Sequence, residues 1–272
     1  MPLSPDREVY PNAPLQYVVC EIRFPFAPAL QADSAIGGLH PILGQHFPIV
    51  EPTTEMTMVF APQGALPPSS EARTVRFLTR ERRRAIYVTP TQLLVESTEY
   101  ARYEDFRDQV DLAISAVLKL GSLIAGVSRI GLRYIDEIRV DRAIEAASDW
   151  TGYIDERLLA PVGIRAGGAI PSTLQGTLRY DTGPSRTMVM RYGNLVGRTV
   201  GEVPLRLRRP PADGPYFLVD VDSFWVGGEP LPEFDRDGML GTCDELHGPV
   251  REAFESSITE RLRNDVLRRR DT

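Results

Sequence analysis

Three stretches of this chain alternate apolar and polar residues while placing acids and arginines together on the polar side: VVCEIRF (18–24), RIGLRYIDEIRV (129–140) and FLVDVDSF (217–224). Successive side chains of an extended chain point to opposite faces. The first stretch then sets Val18, Cys20, Ile22 and Phe24 on one face and Glu21 and Arg23 behind them. By the same rule the second carries Arg129, Arg133 and Glu137 on its polar face, and the third carries Asp220 and Asp222. Guanidinium forks bind carboxylates and phosphates through paired N–H donors. The candidate ligand-binding set is therefore Glu21, Arg23, Arg133, Glu137, Asp220 and Asp222, with Arg23 and Arg133 expected to share carboxylate partners across neighbouring strands. An enclosed network of this kind would hold a phosphate-containing small molecule. Two other readings stand beside it: a mixed-charge face open to water, as antiparallel sheets commonly have, and a face covered by a second copy. No metal is expected there, because interleaved arginines repel the ion and occupy its oxygen ligands.

Other chemistries find less support. His40, His46 and His247 fit neither HExxH nor paired metal spacing, and His247 reads as a satisfied helix residue. GVSRIG (126–131) is one residue out of register for a nucleophile elbow, so Ser128 reads as structural. Cys20 and Cys243 form no CxxC and no disulfide framework, and Cys20 lies on an apolar strand face where cysteine acts as a small hydrophobe. GNLVGRTVG (193–201) is no phosphate loop and reads as a hairpin connection. The runs RERRR, RLRR and RLRNDVLRRR lack interleaved aromatics, and with 31 basic against 37 acidic residues the net charge is −6. Nucleic acid is not an expected partner. No catalytic constellation emerges, and no cofactor is expected.

The elements that must position the candidate set follow from periodicity. A proline-rich lead-in (1–14) precedes a strand over about 16–26, a weak helix at 33–46, and a strand at 53–62. A meander follows at 74–78, 85–89 and 91–97. Tyr103, Phe106, Val110, Ile114 and Val117 line one side of a helix over 102–120, which leads into the strand 127–140. A short helix is expected at 149–159, strands near 172–181, 186–192, 202–208 and 216–226, and one long helix over 239–267 carrying the stripe Leu240, Cys243, Leu246, Val250, Phe254, Ile258, Leu262 and Val266. Runs of strands broken by single helices predict an α+β fold with a mainly antiparallel sheet in meanders and helices packed on one face. Residues 15–267 read as a single domain, with two similar halves at 15–125 and 126–267, and 268–272 as a polar tail.

EIRF near the start, RIGLRYIDEI after the middle helix, LVDVDSF, and the closing ELHGPVREAFESSITERLR together resemble an uncharacterised, sporadically distributed family of bacterial proteins, over about 14–267. The resemblance implies a bacterial, soluble, single-unit protein and supplies no catalytic residues. The start lacks a signal-peptide pattern, and no stretch approaches the ~18–20 apolar residues of a membrane span, so a cytoplasmic location is expected. The functional expectation is an interaction or ligand-sensing protein, one partner in a bacterial stress or defence assembly, which forms a homodimer or binds a protein partner. The alternative is an enzyme or binder acting on a phosphorylated or nucleotide ligand held on the charged face. Barrels lined with acids and arginines hold triphosphates elsewhere, but their acid–x–acid–x–lysine run is missing here.

Overall fold

The computed structural model describes residues 8–54, 73–121, 124–198, 205–208 and 213–269. At its centre β1 (Leu15–Arg23) and β6 (Arg129–Ile138) run antiparallel, with Val19 opposite Arg133 and Cys20 opposite Leu132. The strand period sorts the side chains: Val18, Cys20, Ile22, Ile130 and Leu132 are buried on one face, and Glu21, Arg23, Arg129 and Arg133 share the other. Outward from β1 lie β5 (Gln92–Ser97), β4 (Arg84–Val88), β3 (Arg73–Leu78) and β2 (Ile49–Thr54). Outward from β6 lie β9 (Pro215–Val226), β8 (Arg186–Val196) and β7 (Gln175–Gly183). All neighbours pair antiparallel in one nine-stranded sheet, so the fold is α+β.

Helices cover the apolar face. α1 (Asp33–Leu43) and α2 (Tyr103–Lys119) belong to the β1 side. The short α3 (Glu156–Leu159) and the long α4 (Arg236–Ser257) belong to the β6 side. Each side of the seam thus runs strand, helix, meander, helix, and in each the last meander strand pairs with the seam strand. α2 buries Tyr103, Phe106, Val110, Ile114 and Val117 and stops where Gly121 takes a positive φ of 62°. Asp235 caps α4 by accepting the Gly238 N–H at 2.7 Å. The two helices are tied by Arg107, whose Nε and Nη2 donate to both oxygens of Asp244 at 2.7 and 3.0 Å.

Some boundaries differ from the periodicity. The final helix does not run unbroken to 267. It ends at Ser257, and Ile258 is extended and bridged to Ile154. Thr259 then caps a new turn by accepting the Leu262 N–H at 3.2 Å. Ile258 and Leu262 stay buried at helical spacing across this break, which is why spacing alone concealed it, but the π-helical turn Arg263–Leu267 then buries Leu267 in place of the expected Val266, which is only partly buried. The second strand begins earlier than 53, at Ile49, and the rest of the expected 53–62 strand lies outside the described residues. The expected 149–159 helix is a 3-10 turn at Ala147–Trp150 followed by α3. Of the expected 202–208 strand, the described part, 205–208, is a bend. Its Leu205 is buried against Leu78 and Ala85 with Tyr17 and Ile49 beside it. Thr98 Oγ1 donates to the Arg206 carbonyl at 2.6 Å, and the Arg206 N–H donates to the Arg82 carbonyl at 2.7 Å. A hydrophobic anchor in the β8–β9 connection thus seats on the strands of the opposite meander.

Within α4, Leu246 is fully buried while Phe254 only packs against the core margin. Leu246→Ala should cost about 2–5 kcal/mol in chemical denaturation, and Phe254→Ala distinctly less. Equal losses would contradict this packing.

Candidate functional site

On the face away from the helices, the register builds a grid. Asp222 stands opposite Arg133, which stands opposite Val19 and, one strand on, Glu96. The next row holds Asp220 opposite Ile135 and Arg191, and the row on the other side holds Glu21, Gly131 and Phe224. Ion pairs run mostly diagonally across it. Arg133 donates from Nε and Nη2 to both oxygens of Asp220, each at 2.7 Å, and Arg191 stands 3.7 Å from the same carboxylate. Arg129 reaches Glu21 through a short hydrogen bond and Asp222 at 3.4 Å, while Arg23 donates to the other oxygen of Glu21 at 2.9 Å.

Gly131 makes this reach possible. A Cβ there would lie 2.5 Å from Arg129 Nη1, so the missing side chain lets the guanidinium fold across its own strand. The same group rests over the Phe224 ring at 4.7 Å, a cation–π contact that holds it in place. On the other side of the seam Tyr17 donates to Glu96 at 2.6 Å, with Arg76 Nε 3.7 Å from that carboxylate. Burial, more than the neighbouring Glu96 charge, pushes the Tyr17 hydroxyl far up, so it serves as a donor.

The charges are layered. Asp220 and Glu21 have side-chain exposures of 5% and 16%, whereas Arg191 and Arg23 have 44% and 52%. Acids lie against the sheet and the most exposed arginines stand over them. Burial raises Asp222 above the usual carboxylate range, with Arg129 and Arg133 opposing. Burial weighs most against the Arg133 charge, but the hydrogen bonds to Asp220 together with the charges of Asp220 and Asp222 outweigh it and hold the guanidinium cationic. Beside the grid an open depression of about 490 Å³ is lined by Arg179, Asp181, Thr187 and Phe224 among others.

All six sequence-derived candidates lie on this face by register, and five of them fall in two neighbouring clusters, Arg23–Glu21–Arg129–Asp222 and Arg133–Asp220. Among the described carboxylates Arg23 engages Glu21 and Arg133 engages Asp220, rather than one carboxylate shared as expected; Arg129 bridges Glu21 and Asp222. Glu137 is drawn elsewhere. Its carboxylate is fully buried and accepts from Arg139 at 3.1 Å, and Arg139 also donates to the Gly197, Gly214 and Pro215 carbonyls. That end of β6 anchors the β8–β9 connection. Arg191 had a legible signal, since Met188, Met190 and Tyr192 alternate with it, but its neighbour Asp220 depends on strand order.

The helix face holds the remaining sequence candidates. His247 stacks on Tyr103 with ring centroids 3.9 Å apart, and its Nδ1 lies 3.3 Å from the Tyr134 hydroxyl. Cys20 and Cys243 are buried with their sulfurs 3.9 Å apart. Sequence reasoning passed over Asp136, which falls on this face opposite Val219 and is 6% exposed. Burial, with a further push from Asp220, raises its carboxyl to about 8. Among the described residues, no group of histidines, cysteines and acids is arranged to hold a metal ion, and no helix is long and apolar enough to cross a membrane. No protein-family model matches the chain, and no curated protein matches it either.

The layering distinguishes two arginines. Arg133→Ala strands a nearly buried Asp220 and should cost roughly 3 kcal/mol, at the low end for a broken buried pair because Arg191 stays near. Arg23→Ala, at an exposed pair, should cost less than about 1 kcal/mol in the same denaturation series.

Asp136 makes a separate prediction. Its folded pKa is raised, so the folded state keeps a proton that the unfolded chain releases above its ordinary value of 3.8. Stability should therefore fall as pH rises from that value to about 8 and level off beyond it. Asp136→Asn should be more stable than the wild type by a margin that grows across this window. A margin independent of pH would rule the assignment out.

Proposed function

We propose that this chain is a bacterial, intracellular ligand-sensing protein whose sheet face receives a phosphate-bearing small molecule through arginines, without chemistry being done on it. The observation that carries the reading is the layering, with Asp220 and Glu21 beneath the more exposed Arg191 and Arg23. An approaching ligand meets guanidinium donors first, and the carboxylates behind them hold those donors in place. Carboxylates engaged in this way are positioned to orient arginines rather than to accept protons from a substrate. The adjoining depression with Arg179 and Phe224 offers a cation and an aromatic face beside the arginines. The same proposal makes the sensor one partner in a stress or defence assembly.

The test is thermal denaturation with inorganic phosphate, pyrophosphate and ATP at rising concentration. Near saturation at least one should raise the melting temperature by about 3 °C or more, and added salt should weaken the effect. The double variant Arg23→Ala/Arg191→Ala, built at exposed positions so that it folds, should lose the shift. No shift with any of the three anions, or the same shift in the variant, would defeat the proposal.

A further inference from the structure

Among the described residues the sheet ends at β7, whose strand neighbour is β8. At nine residues β7 is longer than the average strand of about 5–6, and most of its side chains are exposed. Its outer edge is a row of backbone donors and acceptors with no partner strand among the described residues, a template for pairing. Large apolar side chains are exposed on it and on the stretch that leads into it: Ile164 at 71%, Ile170 at 44% and Tyr180 at 40%.

We propose that β7 pairs antiparallel with β7 of a second copy about a two-fold axis at Tyr180, joining the two sheets edge to edge. A symmetric pairing must keep each face continuous, so the axis must pass through a residue, and the central choices are Leu178, Arg179 and Tyr180. An axis at Arg179 sets that arginine against its own copy, which like charges oppose. An axis at Leu178 sets Arg179 against Thr177 and Asp181 against Gln175, with no charge pairing. An axis at Tyr180 sets Arg179 against Asp181 of the second copy, twice by symmetry, and Tyr180 against its own copy on the other face.

Both charges are available for this. Arg179 makes a long contact of 3.4 Å to Thr187 Oγ1, and neither it nor Asp181 has an ion-pair partner among the described residues. Charged residues and the register shift between Asp181 and Gly183 are features that commonly protect an edge from other chains. Here the signs alternate about Tyr180, which makes the edge complementary to itself. The pairing would set the arginine-bearing faces of two copies side by side in one continuous sheet, and it does not depend on what those faces bind.

Sedimentation equilibrium and native mass spectrometry of the full chain test the pairing. The wild type should be a dimer. Arg179→Asp and Asp181→Arg should each weaken it roughly tenfold or more by opposing like charges across the axis, and the double reversal Arg179→Asp/Asp181→Arg should restore it. These positions are exposed, and circular dichroism of each variant confirms folding. Three results would each overturn the proposal: a wild type that is monomeric up to roughly 100 μM, a dimer indifferent to both single reversals, or a double reversal that fails to re-form it.

Discussion

The pairing of β1 with β6 is the constraint on which the rest of the molecule depends. Each meander hangs from one of these strands, and the residues opposed across them, such as Cys20 with Leu132 and Val19 with Arg133, decide which side of the whole sheet is dry. A slip of β1 by one residue would turn Glu21 and Arg23 toward the helices and Cys20 and Ile22 toward solvent. Burying those charges would cost far more than the strand pairing returns. The hydrophobic contact of α2 and α4 with one face therefore enforces the register, and the register in turn assembles the charged face.

Arginine suits the way that face is built. Its fork spans the diagonal between neighbouring strands and meets both oxygens of Asp220 at once, which a lysine ammonium would do less well. Lys119 is the only lysine among 31 basic residues. The same chemistry serves two purposes along β6. At one end Arg139 is spent on Glu137, on the Gly197 and Gly214 carbonyls of the β8–β9 connection and on that of Pro215 at the start of β9. In the middle and at the other end Arg133 and Arg129 hold carboxylates of neighbouring strands while their neighbours Arg191 and Arg23 reach toward solvent.

Leu205, in the β8–β9 connection, marks off one corner of the open face. Leu205 seals a dry corner with Leu78 and Ala85, next to Tyr17 and Ile49. Beyond that corner no helix among the described residues stands over the arginines and acids. The adjacent Tyr17–Glu96 bond, at 2.6 Å, marks the border, where the hydroxyl donates to one oxygen of a carboxylate that lies largely out of water.

Much of this was legible in the one-dimensional pattern, and the limits are physical. Strict alternation in VVCEIRF and RIGLRYIDEIRV determined which of Glu21, Arg23 and Arg133 share a face, because side-chain direction in a strand is a local property. The stripe of α2 was local in the same way. Pairing was not. That Arg129 rather than Arg133 joins Glu21 to Asp222, and that Glu137 leaves the set for Arg139, depend on strand order and on the space above Gly131, which come from contacts distant in sequence. Asp136 shows the same division: its parity alone put it among the apolar residues of β6, but only the packed neighbours decide that its carboxyl is deprived of water. The break at Ile258 escaped detection because burial continues through it at helical spacing, while its cause, the bridge to Ile154, exists only once the chain has folded.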